Sequence, residues 1–156
     1  MSDAPALILP EKSRSIGNDL RRRLGADKVK DDFPTITAYS VDASIYKLVP
    51  KAVVQAETED DIAATVAYAM AAGVPITPRA AGTNLTGSAV GAGIILDCGR
   101  MNRILDLNVE EKWARVQPGL NLTEFNKKLE PHGLMFGPDP SSRDMCKLGG
   151  MLSNNS

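Results

Sequence analysis

Aromatic residues are scarce in this chain, at 4% of its 156 positions, and it holds a single histidine and two cysteines. With one imidazole, His132, and with Cys98 and Cys146 far apart and outside any Cys-x-x-Cys pair, a zinc or iron–sulfur ligand set is not expected. No disulfide is implied, and a reducing cytoplasm is the simplest compartment. Cys98 closes the apolar run Ile94-Ile95-Leu96-Asp97-Cys98 and should pack as a small hydrophobe, whereas Cys146 lies in a Gly- and Ser-rich stretch where a ligand can pass. No basic segment followed by an apolar core opens the chain, and no apolar run approaches the roughly 20 residues that span a bilayer. The expectation is a protein that is neither exported by a signal peptide nor membrane-spanning.

An excess of either charge is also missing. Eighteen Lys and Arg face nineteen Asp and Glu for a net charge of -1, which argues against a nucleic-acid partner. The local basic group Arg21, Arg22, Arg23, Lys28 and Lys30 alternates with Asp19, Asp27, Asp31 and Asp32 and reads as a solvated helix face. There is no Gly-x-x-x-x-Gly-Lys-Ser/Thr, and Gly87 to Gly93 does not carry Gly-x-Gly-x-x-Gly, so neither a P-loop NTPase nor a Rossmann dehydrogenase is indicated. Repeats and low-complexity segments are absent.

What is present is a chain of single-domain size with 43% hydrophobic residues and an α/β pattern. An apolar, Pro-containing lead-in over 1–10 precedes a peripheral helix over 11–24, with Ile16, Leu20 and Leu24 at helical spacing. Residues 33–50, with Pro34 and Pro50, read as an ordered connection into a strand over 52–56. Thr58 and Asp61 have the spacing of a helix cap, and Gly73 ends that helix. Its repeat of Ile62, Val66, Ala69 and Met70 predicts the buried face. Strands follow over 74–77 and 93–97, then a hairpin of 104–107 with 113–116. A capped helix begins at Asn121 and stops near Pro131.

The loop Arg79-Ala80-Ala81-Gly82-Thr83-Asn84-Leu85-Thr86-Gly87 carries the functional signal. Small residues at 80, 81, 82 and 87 let peptide N–H groups converge into a concave nest, whose usual guest is a phosphate or pyrophosphate. The competing reading is a plain connection with small residues for packing. Arg79 either balances phosphate charge or pairs with a carboxylate such as Asp97, and His132 suits a capping or surface role better than a catalytic one. A second glycine-centred approach point is Leu148-Gly149-Gly150-Met151-Leu152-Ser153-Asn154-Asn155.

Taken in order, these segments resemble the flavoenzymes related to vanillyl-alcohol oxidase. Tyr39-Ser40-Val41-Asp42-Ala43-Ser44 resembles the family's leading segment, and Pro50 to Ala56 the strand before its Thr-x-x-Asp helix. Arg79 to Gly87 resembles the pyrophosphate loop, and Asp139-Pro140-Ser141 with Leu148 to Asn155 the second flavin-contacting segment. The resemblance implies an α+β fold, the N-terminal part of the two-subdomain FAD-binding fold, over residues 35–156, behind an N-terminal extension with a helix over 1–34. Within the family the chain looks most like FAD-linked glycolate oxidase subunits and D-lactate dehydrogenases.

On that resemblance the cofactor-binding residues are Arg79, Ala80, Ala81, Gly82, Thr83, Asn84, Leu85, Thr86, Gly87, Asp139, Ser141, Gly149, Gly150 and Ser153. Asp139 and Ser141 also suit a plain turn by composition. The family's frequent Gly-Gly-Gly is here Ala80-Ala81-Gly82, which requires negative φ at both alanines. Where some relatives carry a flavin-bonded histidine this chain has Asn84, so the flavin is expected to be non-covalent. The resemblance further implies an N-terminal fragment of a larger enzyme that oxidises a small D-2-hydroxy acid and passes electrons to an acceptor, through which it can associate with a membrane. Its catalytic residues fall outside the sequence, and no metal is implied. The alternative is a non-catalytic α/β binding module that self-associates through an open sheet edge.

Overall fold

A computed structural model describes residues 11–156, with side chains from Ile16 onward; the lead-in over 1–10 lies outside the described residues. The elements in order are α1 (Glu11–Leu24), β1 (Val29–Lys30), α2 (Phe33–Tyr39), β2 (Ala52–Gln55), α3 (Glu59–Ala72), β3 (Ile76–Arg79), β4 (Ile94–Asp97), β5 (Ile104–Asn108), β6 (Trp113–Val116), α4 (Leu122–Leu129) and α5 (Leu148–Asn154). A 3-10 turn over Glu130–His132 extends α4.

Four strands form one sheet in the order β1-β2-β4-β3. β4 runs parallel to both β2 and β3, with Val53 and Thr77 flanking Ile95, while β1 pairs antiparallel with β2. Alternation divides the strand residues between two faces. Ala52, Val54, Ile94 and Leu96 pack with Ile16 and Leu20 of α1 and with Tyr68 and Ala69 of α3, whereas Val53 and Ile95 meet Ile36 of α2 on the other face. α1 is therefore not peripheral: Leu20 is fully buried, and no break in packing separates it from the sheet.

α3 has the expected ends. Thr58 accepts from the Asp61 N–H at 3.2 Å, Asp61 accepts from the Thr58 N–H at 3.0 Å, and Gly73 closes the helix in the left-handed region at φ 63°. Its buried face, however, is Asp61, Thr65, Tyr68 and Ala69, while Val66 and Met70 are exposed. The alanine-rich helix gives hydrophobic periodicity little contrast, and the aromatic ring decides the orientation. Residues 33–39 form a helix and not a connection, because Asp32 caps it through the Thr35 N–H at 3.0 Å and Pro34 lies in the first turn, where its missing N–H costs nothing.

A second layer holds the antiparallel β5–β6 hairpin against α4 and α5. Leu122, Phe125, Leu129, Leu148, Met151 and Cys146 make its core. Cys146 is the more buried of the two cysteines, its thiol 3.6 Å from the Met151 sulfur, and it stays in its loop on the wall of a cavity, as expected. Cys98 does pack against the first core, as expected. Beside the second core lies an apolar groove of about 560 Å³ between the hairpin, α4 and α5.

Candidate FAD site

β3 delivers the chain to the loop over 80–89, and the loop and the start of α5 form facing walls of a cavity of about 630 Å³. Gly149 is anchored there by its N–H to the Pro118 carbonyl at 2.9 Å, and Gly150 faces the Ala80 methyl. The two glycine-centred segments, more than 60 positions apart in sequence, thus meet across one cavity.

Gly82 lies at φ 69° and Gly87 at φ 78°, the left-handed region that a side chain strains, while Ala80 and Ala81 are not in it. The nest therefore accommodates the two alanine methyls. A Cβ on Gly82 would meet the Arg79 guanidinium 2.6 Å away, and one on Gly87 would meet the Tyr46 ring at the same distance. Among the described residues, the backbone N–H groups of Ala81, Gly82, Thr83, Asn84 and Leu85 donate to no protein acceptor, and neither does the Thr83 hydroxyl. Five successive peptide donors beside a cavity suit an anionic guest.

Arg79, Ala80, Ala81, Gly82, Thr83, Asn84, Leu85, Thr86, Gly149, Gly150 and Ser153 all line the cavity. Gly87, Asp139 and Ser141 do not. Gly87 backs onto Tyr46, and Asp139 is exposed and paired at 3.0 Å with Arg143, four positions on, while Pro140 and Ser142 lie on the wall. Asn84 and Thr86 serve the loop itself. The Asn84 side chain donates to Asp42 at 2.9 Å and accepts from the N–H groups of Thr86 and Ser88 at 3.1 and 2.9 Å. The Ser153 hydroxyl donates to the Gly149 carbonyl at 2.9 Å. Asp42 has a lowered pKa: burial pushes it up, but the Ser44 hydroxyl and N–H, the Asn84 amide and the Ala89 N–H outweigh that.

Arg79 follows neither of the two expected courses alone. Its guanidinium donates to the Val41 carbonyl at 2.8 Å and lies over the Tyr39 ring, while Asp97 is occupied by the Tyr39 hydroxyl and the Gly99 N–H. Desolvation and then the Asp97 carboxylate push the Tyr39 phenol up to about 12. Arg79 nonetheless remains on the cavity wall. A second cation there, Lys147, was missed by sequence reasoning; its ammonium donates to the Gly99 carbonyl at 3.3 Å. The signal was available, since Lys147 immediately precedes the glycine-centred segment. Among the described residues, no Asp or Glu side chain lines the cavity. His132 is exposed in the 3-10 turn, away from this site.

The geometry is that of a site for an anionic, phosphate-bearing ligand, and the model of a family described as FAD binding domain matches residues 50–156. The chain belongs to that family. FAD is its cofactor, and the residues present fit it: free peptide donors and two cations for the pyrophosphate, and bare glycine backbone on the facing wall. The chain is 37% identical to a D-2-hydroxyglutarate dehydrogenase of Pseudomonas putida over 97% of its own length and 15% of that protein's. It is 33% identical to the glycolate oxidase subunit GlcD of Escherichia coli over 94% of itself and 30% of that chain. Among solved structures, an alkyldihydroxyacetonephosphate synthase superposes at TM-score 0.79 with 26% identity, over 89% of this chain and 32% of the other. A p-cresol methylhydroxylase superposes at 0.76 with 22% identity, over 88% and 28%. The fold is thus the vanillyl-alcohol-oxidase type, and the chain spans less than a third of the length of these relatives. No helix among the described residues is long and apolar enough to cross a membrane.

Proposed function

We propose that this chain is the cofactor-holding part of a flavoprotein that oxidises a D-2-hydroxy acid to the 2-keto acid. The observation that carries the reading is the row of peptide N–H groups from Ala81 to Leu85 that find no acceptor among the described residues, set with Arg79 and Lys147 on a cavity wall that holds no described Asp or Glu side chain. The relatives named D-2-hydroxyglutarate dehydrogenase, glycolate oxidase subunit and D-lactate dehydrogenase share the substrate class and differ in the acid. D-2-hydroxyglutarate therefore joins glycolate and D-lactate as a candidate.

FAD, when bound, would supply the two-electron oxidant for the carbon that bears the hydroxyl. The chain's own residues bind and orient. The loop N–H groups and the Thr83 hydroxyl would donate to the pyrophosphate, Arg79 and Lys147 would supply positive potential, and Gly149 and Gly150 would admit the cofactor close to backbone. Asn84, whose amide is engaged with Asp42, offers no nucleophile for a covalent flavin link, so the cofactor is held non-covalently.

The test has two parts on the intact protein. Titration with FAD, followed by flavin fluorescence, should saturate at one equivalent. The reconstituted protein should then reduce an artificial dye with D-2-hydroxyglutarate, glycolate or D-lactate, and should leave the L-enantiomers of the chiral acids untouched. A folded protein that neither retains nor binds FAD would end this reading.

A further inference from the structure

Resting on the flavin reading, we infer that Asp42 is a positioning residue for the phosphate-binding loop, acting through Asn84. Asp42 lies outside residues 50–156, the span matched by the family model, on the segment between α2 and β2. Its Oδ1 accepts from the Ser44 N–H at 2.9 Å, which fixes the carboxylate on its own segment. Its Oδ2 accepts from the Asn84 Nδ2 at 2.9 Å and from the Ala89 N–H at 3.3 Å, reaching both the middle and the end of the loop.

The carboxylate accepts only, so it dictates which end of the Asn84 amide faces it. The amide nitrogen turns toward Asp42, and the amide oxygen must then face the loop. That oxygen collects the N–H groups of Thr86 and Ser88. The same segment takes the opposite kind of group from Gly82, whose carbonyl accepts from the Ala43 N–H at 3.1 Å. Across a trans peptide the carbonyl and the following N–H point in opposite directions, so drawing the Gly82 oxygen toward residue 43 turns the Thr83 N–H away from it. Thr83 lines the cavity. Segment 42–44 thereby removes a repelling carbonyl from the anion nest and gathers the donors of 86 and 88, leaving those of 81–85 for the ligand. Asp42 is not itself on the cavity wall, and a carboxylate near a pyrophosphate weakens binding by its charge. Its benefit is geometric.

The experiment compares Asp42→Ala, Asn84→Asp and the swapped pair Asp42→Asn/Asn84→Asp in the intact protein. In the swap, the introduced amide donates to the introduced carboxylate, which still accepts from Thr86 and Ser88. Each single change should raise the Kd for FAD by about tenfold, by leaving peptide donors unpaired or setting two carboxylates together. The swap should bind FAD more tightly than Asn84→Asp, a recovery that independent sites do not give, yet more weakly than the parent protein, because it sets a carboxylate on the cavity wall at 84 and leaves the Ala89 N–H without its acceptor. Hydrogen exchange of the Thr86 and Ser88 amides, measured without FAD, should speed up in Asp42→Ala and slow again in the swap. If Asp42→Ala does not fold by circular dichroism, Asn84→Asp against the swap carries the decision. An unchanged Kd in Asp42→Ala, or a swap no better than Asn84→Asp, overturns the inference. A parent protein that binds no FAD overturns the flavin reading and Asp42's part in it, whereas the exchange data still report whether the loop is pinned.

Discussion

The Arg79 guanidinium carbon lies 5.0 Å from the centroid of the Tyr39 ring, and the Tyr39 hydroxyl in turn is hydrogen-bonded to Asp97, the residue paired with Arg79 in the sheet register. The three side chains form a short chain of contacts from α2 across β4 to the first residue of the loop. Arg79→Ala should lose the stacking and the bond to the Val41 carbonyl together, lowering stability by about 2 kcal/mol in urea denaturation. Arg79→Lys should recover only part of this, since an ammonium does not stack as a planar fork does.

Alkaline pH offers a separate view of the same contacts. Tyr39 has its ordinary value of 10 when unfolded and about 12 when folded. A pKa raised by folding contributes stability that is fully present below pH 10 and lost as pH rises toward 12. Denaturation midpoints should fall through that window, and Tyr39→Phe should flatten the fall. An ultraviolet titration should show one late-ionising tyrosine that the variant lacks.

Gly82→Ala should weaken FAD binding by about tenfold or more, because φ at 69° disfavours any Cβ and the new methyl meets the Arg79 guanidinium. Gly82→Pro, restricted to negative φ, should abolish flavin retention. Ala81→Gly is the control: its φ is not in the left-handed region, so FAD affinity should stay within about threefold. Equal losses in all three, read by flavin fluorescence, would contradict the geometry.

At the acid end the informative pair is Lys28 and Asp61, 2.8 Å apart and largely shielded. Burial raises the Asp61 pKa, but bonds from Lys28 and from the N–H groups of Glu57 and Thr58 outweigh it and hold the carboxyl below its usual 3.8. A lowered folded pKa means stability present above pH 3.8 and lost as pH falls through the folded value. Asp61→Ala should cost about 2 kcal/mol at neutral pH, by unpairing Lys28 and undoing the cap of α3, and should blunt the acid transition seen by circular dichroism.

Lys147→Met should reduce FAD affinity by about fivefold with little change in melting temperature, since among the described residues its ammonium donates to a single acceptor, the Gly99 carbonyl. The difference from the parent protein should shrink as salt is raised.

Where an element carried its own local signal, the sequence was readable. Thr58, Asp61 and Gly73 mark both ends of α3, the apolar run at 94–97 marks a strand, and the polar turn between 104–107 and 113–116 marks a hairpin, because caps, runs and turns act within a few residues. α2 was hidden by Pro34, which breaks a helix in its interior but not in its first turn. α5 was hidden by two glycines with poor helix propensity in its own first turn, where the Pro118 carbonyl engages Gly149. The loop's composition announced a nest. Which of its donors are spoken for depends on Asp42, more than forty positions earlier, and no local pattern carries that. The exchange of Asp139 and Ser141 for Pro140 and Ser142 on the wall is the same lesson at a turn, where one residue of phase decides what faces inward.

The strand order has a consequence for how the protein is made. β2 and β3 are adjacent along the chain, joined by α3, yet β4 lies between them in the sheet. During synthesis β2 and β3 emerge before residues 94–97, the strand that in the finished sheet separates them by two strand spacings, roughly 9.6 Å at the usual spacing. Their facing edges have no partners in that interval, and the nest that leaves the end of β3 has nothing beneath it. A nascent chain stalled before residue 94 should therefore recruit chaperones, and one released after it should close the centre of the sheet in a single late step of non-local pairing.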